Sequence, residues 1–371
     1  MTCARAIAGA LVIVAACVCL ERPSRTLQAA APMEMRGTTT VAVVAALDVA
    51  PAAGETSAAA SAPSAALPDW ALETLQNTFA GLSAGSILVL LALGLSIIFG
   101  LMGVINLAHG EFMMVGAYTA YVVSESFKAY LPPGAFDYFY LVALPLSFLV
   151  AGGVGVLCEY LVIRHLYGRP IETLLATWGI SLLLIQTARL IFGDTTSFTP
   201  PSWLQGGWRV IPGLVLPLNR LFIIGLCVAA VAAVYLLVQR TPFGLLLRAT
   251  TEDRPIASAL GVPTRWIDGL TFGFGTGLAG LAGAIVPLYD KLNPNMGQSY
   301  VVDSFMVVVV GGIGKLAGAV VAGAGLGFLT KYLEPWLQAV YGKLAVLALI
   351  IVFLQWRPLG LFPDRGRSAE S

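Results

Sequence analysis

Charge is what this sequence has least of. Only 11% of its 371 residues are Asp, Glu, Lys or Arg, where a soluble domain usually carries about 25%. Water therefore cannot be the solvent for most of its surface. The formal net charge is only +1 and no basic tract occurs, which argues against nucleic acid as a partner. Cysteine is sparse too. Cys3, Cys17, Cys19, Cys158 and Cys227 show no CxxC zinc spacing and no disulfide framework, so they read as small apolar packing residues. The two histidines, His109 and His165, lie far apart, HExxH is absent, and the literal GxSxG at Gly81-Leu-Ser-Ala-Gly85 opens a long apolar run with no strand before it, so it is no nucleophile elbow. A membrane enzyme is poorly supported, and no cofactor is expected. The phosphate loop GxxxxGK[ST] is also missing. Any ATP that drives this protein must be hydrolysed on another chain.

What fills the sequence is apolar. Hydrophobic residues make up 58% of it, and the mean hydropathy is +0.84. Lipid then covers the surface, and lipid admits only helices or a closed barrel. Barrel strands would be segments of about ten alternating residues. Here the apolar runs are continuous and near twenty residues, as a helix needs to cross roughly 30 Å of hydrocarbon. The expectation is an all-α, polytopic transmembrane bundle of about eight or nine spans. The runs near 112–124, 301–313 and 316–330 are too short to cross upright, so some spans should be broken or re-entrant.

The ends read differently. Arg5, an apolar core over 6–20 and small residues at 29–31 suggest a signal peptide over 1–31. A true start at Met33 or Met35 is the alternative. Residues 32–70 are rich in Ala, Ser and Pro, as in a disordered linker. The transmembrane domain is expected over 71–363, with a cytoplasmic tail over 364–371. Arg164, Arg169, Arg240, Arg248, Arg254, Arg265, Arg357, Arg365 and Arg367 fall on one set of loops. Lys128, Arg209, Lys291 and Lys331 fall on the other. The positive-inside rule places the first set in the cytoplasm, with the amino end periplasmic and the carboxyl end cytoplasmic.

Three local patterns stand out. In the loop over 240–268, Glu252 and Asp253 precede a short helical stretch with Pro255 in its first turn. Gly261 can end that helix and Pro263 prevents its return. One or two turns of rigid helix outside the bilayer would make a lever for another protein; the bland reading is a solvated loop. At Gly100-Leu-Met-Gly103-Val-Ile-Asn106-Leu-Ala-His109-Gly110-Glu111, glycines and polar groups interrupt apolar chain. A carboxylate in hydrocarbon costs about 2.5–3.5 kcal/mol. Either a broken helix lines a translocation path here, or an inner-face turn leaves Glu111 solvated. Finally, Gly275 to Gly280 is a literal GxGxxG, but no strand precedes it, so the run from Gly273 to Gly283 reads as close helix packing.

The stretch Gly100-Leu-Met-Gly-Val-Ile-Asn-Leu-Ala-His-Gly-Glu-Phe-Met-Met-Val-Gly-Ala-Tyr118 resembles a conserved block of permeases from the branched-chain amino-acid and urea ABC import family. Residues 248–261 are similar to that family's ATPase-coupling loop, without the literal Glu-Ala-Ala of many ABC permeases. Leu174-Leu-Ala-Thr-Trp-Gly-Ile-Ser181, Pro200-Pro-Ser-Trp-Leu-Gln-Gly-Gly207 and Gly297-Gln-Ser-Tyr-Val-Val-Asp-Ser-Phe-Met306 resemble the urea branch. The resemblance implies an inner-membrane permease for urea, a small neutral solute. Its implied partners are a second homologous permease, two cytoplasmic ATPases and a periplasmic solute-binding protein. It implies coupling through Arg248, Glu252, Asp253, Ala257 and Gly261. Urea wants hydroxyl and amide partners, and Asn106, His109, Glu111, Thr177, Ser181 and Ser304 are the candidate path residues. The sparse charge leans the same way, since an amino acid would favour a fixed charge partner. The alternatives are transport of branched-chain amino acids or short amides, and a passive channel.

Overall fold

The computed structural model describes residues 68–211 and 214–362, all within one compact unit, Ser61–Ser371. The signal peptide expected over 1–31, nearly all of the linker expected over 32–70 and the tail over 364–371 lie outside the described residues.

Helix dominates, because each apolar run must satisfy its backbone internally. The order is α1 (Asp69–Met102), α2 (His109–Tyr130), α3 (Phe139–Leu161), α4 (Pro170–Phe192), a hairpin of β1 (Gly207–Ile211) and β2 (Leu214–Pro217), then α5 (Leu218–Arg240), α6 (Pro242–Glu252), α7 (Arg254–Ala259), α8 (Thr264–Ile285), α9 (Met296–Gly311) and α10 (Leu316–Trp356). Among the described residues, six helices are long and apolar enough to cross a membrane, and Met296–Gly311 and Tyr341–Trp356 are shorter apolar helices. The all-α polytopic bundle is thus as expected. The antiparallel hairpin, with Trp208 opposite Leu216 and Arg209 opposite Val215, is an addition to it.

The helices divide into core and shell. In α1 and α8, 78% and 83% of the apolar window is buried; in α3, α4 and α5 the shares are 33%, 22% and 28%. The shell exposes Leu141, Leu183, Leu190, Val228 and Tyr235, which suits lipid or another apolar chain. Close approach in the core depends on missing side chains. A Cβ at Gly94 would meet the backbone of Gly275, and one at Gly116 the backbone of Gly280. The glycine run therefore packs helices, and it lies inside α8 with no strand before it.

Helix α10 is 41 residues long, which drawn straight would reach about 60 Å. Yet a Cβ on Gly342 would lie 3.7 Å from Glu334, and one on Gly360 would lie 2.9 Å from the Gly312 nitrogen. The chain therefore doubles back between Leu316–Leu337 and Tyr341–Trp356, as the separate runs near 316–330 and 344–356 predict.

Two of the non-helical connections flank the polar cluster around Glu111. Helix α1 ends at Gly103, whose φ of +65° sets a left-handed cap, and α2 starts only at His109. After α8 and a short 3-10 turn, residues 289–295 lead to α9. Hydrogen bonds hold the second connection: Thr196 N donates to Leu292 O (3.1 Å), Asn219 Nδ2 to Leu288 O (3.0 Å) and Arg189 Nη2 to Asn295 Oδ1 (3.2 Å).

Candidate functional site: a buried helix break and an exposed helical element

The first candidate region is the break before α2. Between α1 and α2 the backbone N–H groups of the break need partners outside a helix. Leu107 N donates to Thr177 Oγ1 on α4 (3.2 Å), and Thr177 Oγ1 donates to Leu174 O (3.0 Å). Asn106 Oδ1 accepts from Ala108 N (3.1 Å), which closes a tight turn into α2. His109 Nε2 donates to Leu91 O (3.0 Å), pinning the first residue of α2 to the middle of α1. Ser181 Oγ donates to Glu111 Oε1 (2.7 Å).

Five of the six candidate path residues thus meet here: Asn106, His109, Glu111, Thr177 and Ser181. Glu111 is 1% exposed, so the solvated inner-face turn gives way to the broken helix. Ser304 is buried and donates to Val301 O (2.8 Å) of its own helix, outside this network.

The first turns of α2 and α9 meet at this point. A Cβ at Gly110 would fall on the backbone of Gly297, and one at Gly297 on Glu111 Oε2 and the backbone of Gly110. A helix start carries partial positive charge, so the Glu111 carboxylate is favourably placed against α9. Among the described residues, Glu111 Oε2, Asn106 Nδ2 and His109 Nδ1 find no hydrogen-bond partner.

The second region is the connection from α5 to α8. Thr241 Oγ1 accepts from Gly244 N (3.3 Å) at the start of α6, with Pro242 in the first turn. Asp253 Oδ1 accepts from Ile256 N (2.9 Å) at the start of α7. Gly261 (φ +88°) ends the element, a backbone that a side chain would strain. The short helix with its Asp253 start and Gly261 stop is as read from the sequence. The preceding α6, of 11 residues, makes the element longer than the expected one or two turns.

Its faces differ. Leu247 and Ala257 are buried against the bundle, while Leu245, Ile256 and Leu260 are 62%, 58% and 80% exposed. Ile256 and Leu260 are four residues apart and share a face. Glu252, Asp253 and Gly261 are exposed. Arg248 is exposed and donates to Gly244 O (3.3 Å) of its own helix and to Gln239 Oε1 (3.3 Å) at the end of α5.

A charged network unread in the sequence anchors the element. Arg254 pairs with Asp268 at the start of α8 and stacks over the Tyr167 ring at 4.9 Å. Tyr167 OH donates to Glu159 Oε1 (3.2 Å), and Arg164 Nη2 pairs with Glu159 Oε2 (3.3 Å). Burial first, then the Asp268 and Glu159 charges, push the Tyr167 phenol upward, so it remains a donor. Glu159 is fully buried. Its only sequence signal is a carboxylate near the end of an apolar run. These groups, with His165 and Arg265, line a cavity of about 290 Å³.

Residues 77–354 match a family model described as the permease component of branched-chain amino acid transport systems. The chain is 29% identical over 293 residues to the high-affinity branched-chain amino acid transport system permease protein BraD of Pseudomonas aeruginosa, covering 77% of this chain and 95% of that protein. It is 29% identical over 307 residues to permease protein LivH of Escherichia coli K12, covering 77% and 94%. It is 25% identical over 300 residues to permease protein LivM of the same organism, covering 75% and 68%. Among solved structures it matches a chain of PsaBC from Streptococcus pneumoniae in complex with Fab at 14% identity. That match has a TM-score of 0.42 and covers 76% of this chain and 91% of that one. Urea, the solute expected from the sequence, finds no support in these relatives; the branched-chain alternative fits them better.

Proposed function

The chain belongs to the family of permease components of branched-chain amino acid transport systems, and from that premise we propose that it is the membrane-spanning subunit of an ATP-driven importer of branched-chain amino acids. The observation that carries the solute is the agreement of the family with relatives such as BraD and LivH over three quarters of the chain.

In this reading α6 and α7 face the cytoplasm, where an ATPase on a separate chain grips the exposed Leu245, Ile256 and Leu260. The Arg248–Gly261 segment is then the coupling loop. Ala257 seats it on the bundle, Asp253 and Gly261 set its bends, and Arg248 and Glu252 flank the contact. The Arg254–Asp268 and Glu159–Tyr167 contacts would carry a push on α7 into α8 and α3. The second permease, two ATPases and a solute-binding protein on the far face complete the assembly in the inner membrane.

The helix break is the moving part of the path. Buried polar atoms without partners cost free energy. The orphans on Asn106, His109 and Glu111 favour a second conformation in which they meet solute, water or one another. Only differential binding between the two states can drive that exchange.

The test is reconstitution in proteoliposomes with the ATPases, the second permease and the solute-binding protein that co-purify or function with it. ATP-dependent uptake of leucine, with urea left outside, is expected. Uptake of urea in preference, or leucine flux through the chain without ATPase subunits, would overturn the proposal.

A further inference from the structure

A second cavity, of about 680 Å³, lies between α1, α9 and the two arms of α10, and Asn106, His109, Glu111, Thr177 and Ser181 are not among its lining residues. That volume falls in the range of small-molecule sites, roughly 300–1,000 Å³. Its walls are mostly apolar: Ile87 and Leu88 from α1, Met306 from α9, and Leu326 and Leu347 from α10. Two ion pairs are set into these walls, one within the first arm of α10 and one that joins α9 to α10. Asp303 stands in the apolar helix α9 and meets Lys343 Nζ on the returning arm of α10 at 3.3 Å, with side chains 22% and 58% exposed. The other charges around the cavity have partners of their own. Lys331 pairs with Glu334 at 2.5 Å, and Asp290 is exposed and accepts from Lys291 N (2.7 Å). Tyr289 and Asp290 follow α8, which begins at the α7 anchor, so the cavity lies toward the face opposite α6 and α7.

An ionisable residue in an apolar span is costly and marks a function by default. We propose that this cavity is a solute site for an α-amino acid with an aliphatic side chain. The ammonium group is held by Asp303, the carboxylate by Lys343, and the side chain lies on Ile87, Leu88, Leu326 and Leu347. A zwitterion inserted between Asp303 and Lys343 replaces one ion pair with two and leaves the cavity neutral. Each new contact is charge-assisted, and such bonds are about twice as strong as neutral ones. A neutral amide offers only the weaker kind, and an acyl chain offers neither. The pair supplies the fixed charge partner that the sparse overall charge argues against. The inference rests on the amino-acid reading of the transporter and places its solute.

The experiment uses the complete reconstituted transporter with leucine-loaded binding protein. Asp303→Asn and Lys343→Gln are each expected to lower the maximal rate of leucine uptake about tenfold or more, the loss of one charge-assisted contact. The ATPase rate stimulated by loaded binding protein should stay within about twofold of wild type on the same scale. Asp303→Glu, which keeps the charge, should restore most of the uptake and shows that the site folds. Wild-type leucine rates in both neutralised variants would overturn the site while leaving the importer reading intact. So would equal loss of uptake and ATPase in Asp303→Asn and Asp303→Glu, which marks a structural role. A wild-type transporter that moves no leucine would overturn the importer reading itself, and the site with it.

Discussion

The helix break at 103–111 and the α6–α7 element are both interruptions of apolar chain, and they are finished in opposite ways. At the break, Asn106, His109, Glu111, Thr177 and Ser181 are all buried, and their bonds run to neighbouring helices. At α6–α7 the ends are capped, one face is anchored, and the outward face is apolar and uncovered. A lipid-embedded bundle can tolerate non-helical backbone only where protein or a cavity satisfies it, which explains the first finish. Exposed Leu245, Ile256 and Leu260, on a capped element outside the long apolar spans, have no such explanation among the described residues. The difference is the one that the proposed roles require: a break held within the bundle and an element open to a partner.

The contrast can be broken most violently at the point where α2 and α9 touch. Gly297→Val should prevent folding, because the new side chain meets Glu111 and the Gly110 backbone and rigid backbone cannot yield as a side chain can. Loss of monodisperse protein on size-exclusion chromatography in detergent is the expected result.

Glu159→Gln comes next. It removes the charge that Arg164 faces and weakens the hold of Tyr167, at a cost of up to about 3 kcal/mol given that Arg164 is partly solvated. A lower midpoint of thermal unfolding is expected, with more ATP hydrolysed per leucine moved. Unchanged coupling would detach the network from the lever.

Ser181→Ala should cost about 1–3 kcal/mol, since it leaves Glu111 Oε1 buried without its donor. A thermal scan and leucine uptake read it. An effect no larger than that of an exposed alanine substitution would mean that the break is solvated in the working protein.

Much of this was legible before any coordinates. The near-twenty-residue runs predict the long spans, and Gly103 with the polar cluster that follows predicts a break in the right place. The two arms of α10 were separable because Lys331, Glu334, Pro335 and Lys343 interrupt the apolar pattern between them. The β1–β2 hairpin was not legible, as strands of 5 and 4 residues are too short to show alternation. Glu159 and Asp268 read as boundary charges, because a single carboxylate at the end of a span looks solvated until its partner from another segment is placed. Asp303 escaped notice for the same reason: Lys343 is 40 residues away. The stretches that resemble the urea branch include Ser181, which bonds Glu111, and Gly297, which packs on Gly110. These two residues pack and bond within the bundle, so their presence does not identify the solute.

The account stands or falls on which side of the membrane the α6–α7 element faces and what touches it there. A cysteine placed at exposed Leu260, with Cys3, Cys17, Cys19, Cys158 and Cys227 replaced by alanine, can be probed in native membranes with an impermeant maleimide and then with a short bifunctional cross-linker. The account predicts labelling only in inverted vesicles, and a cross-link to an ATPase subunit that stops leucine uptake. Labelling of Leu260→Cys in intact, right-side-out spheroplasts would contradict it.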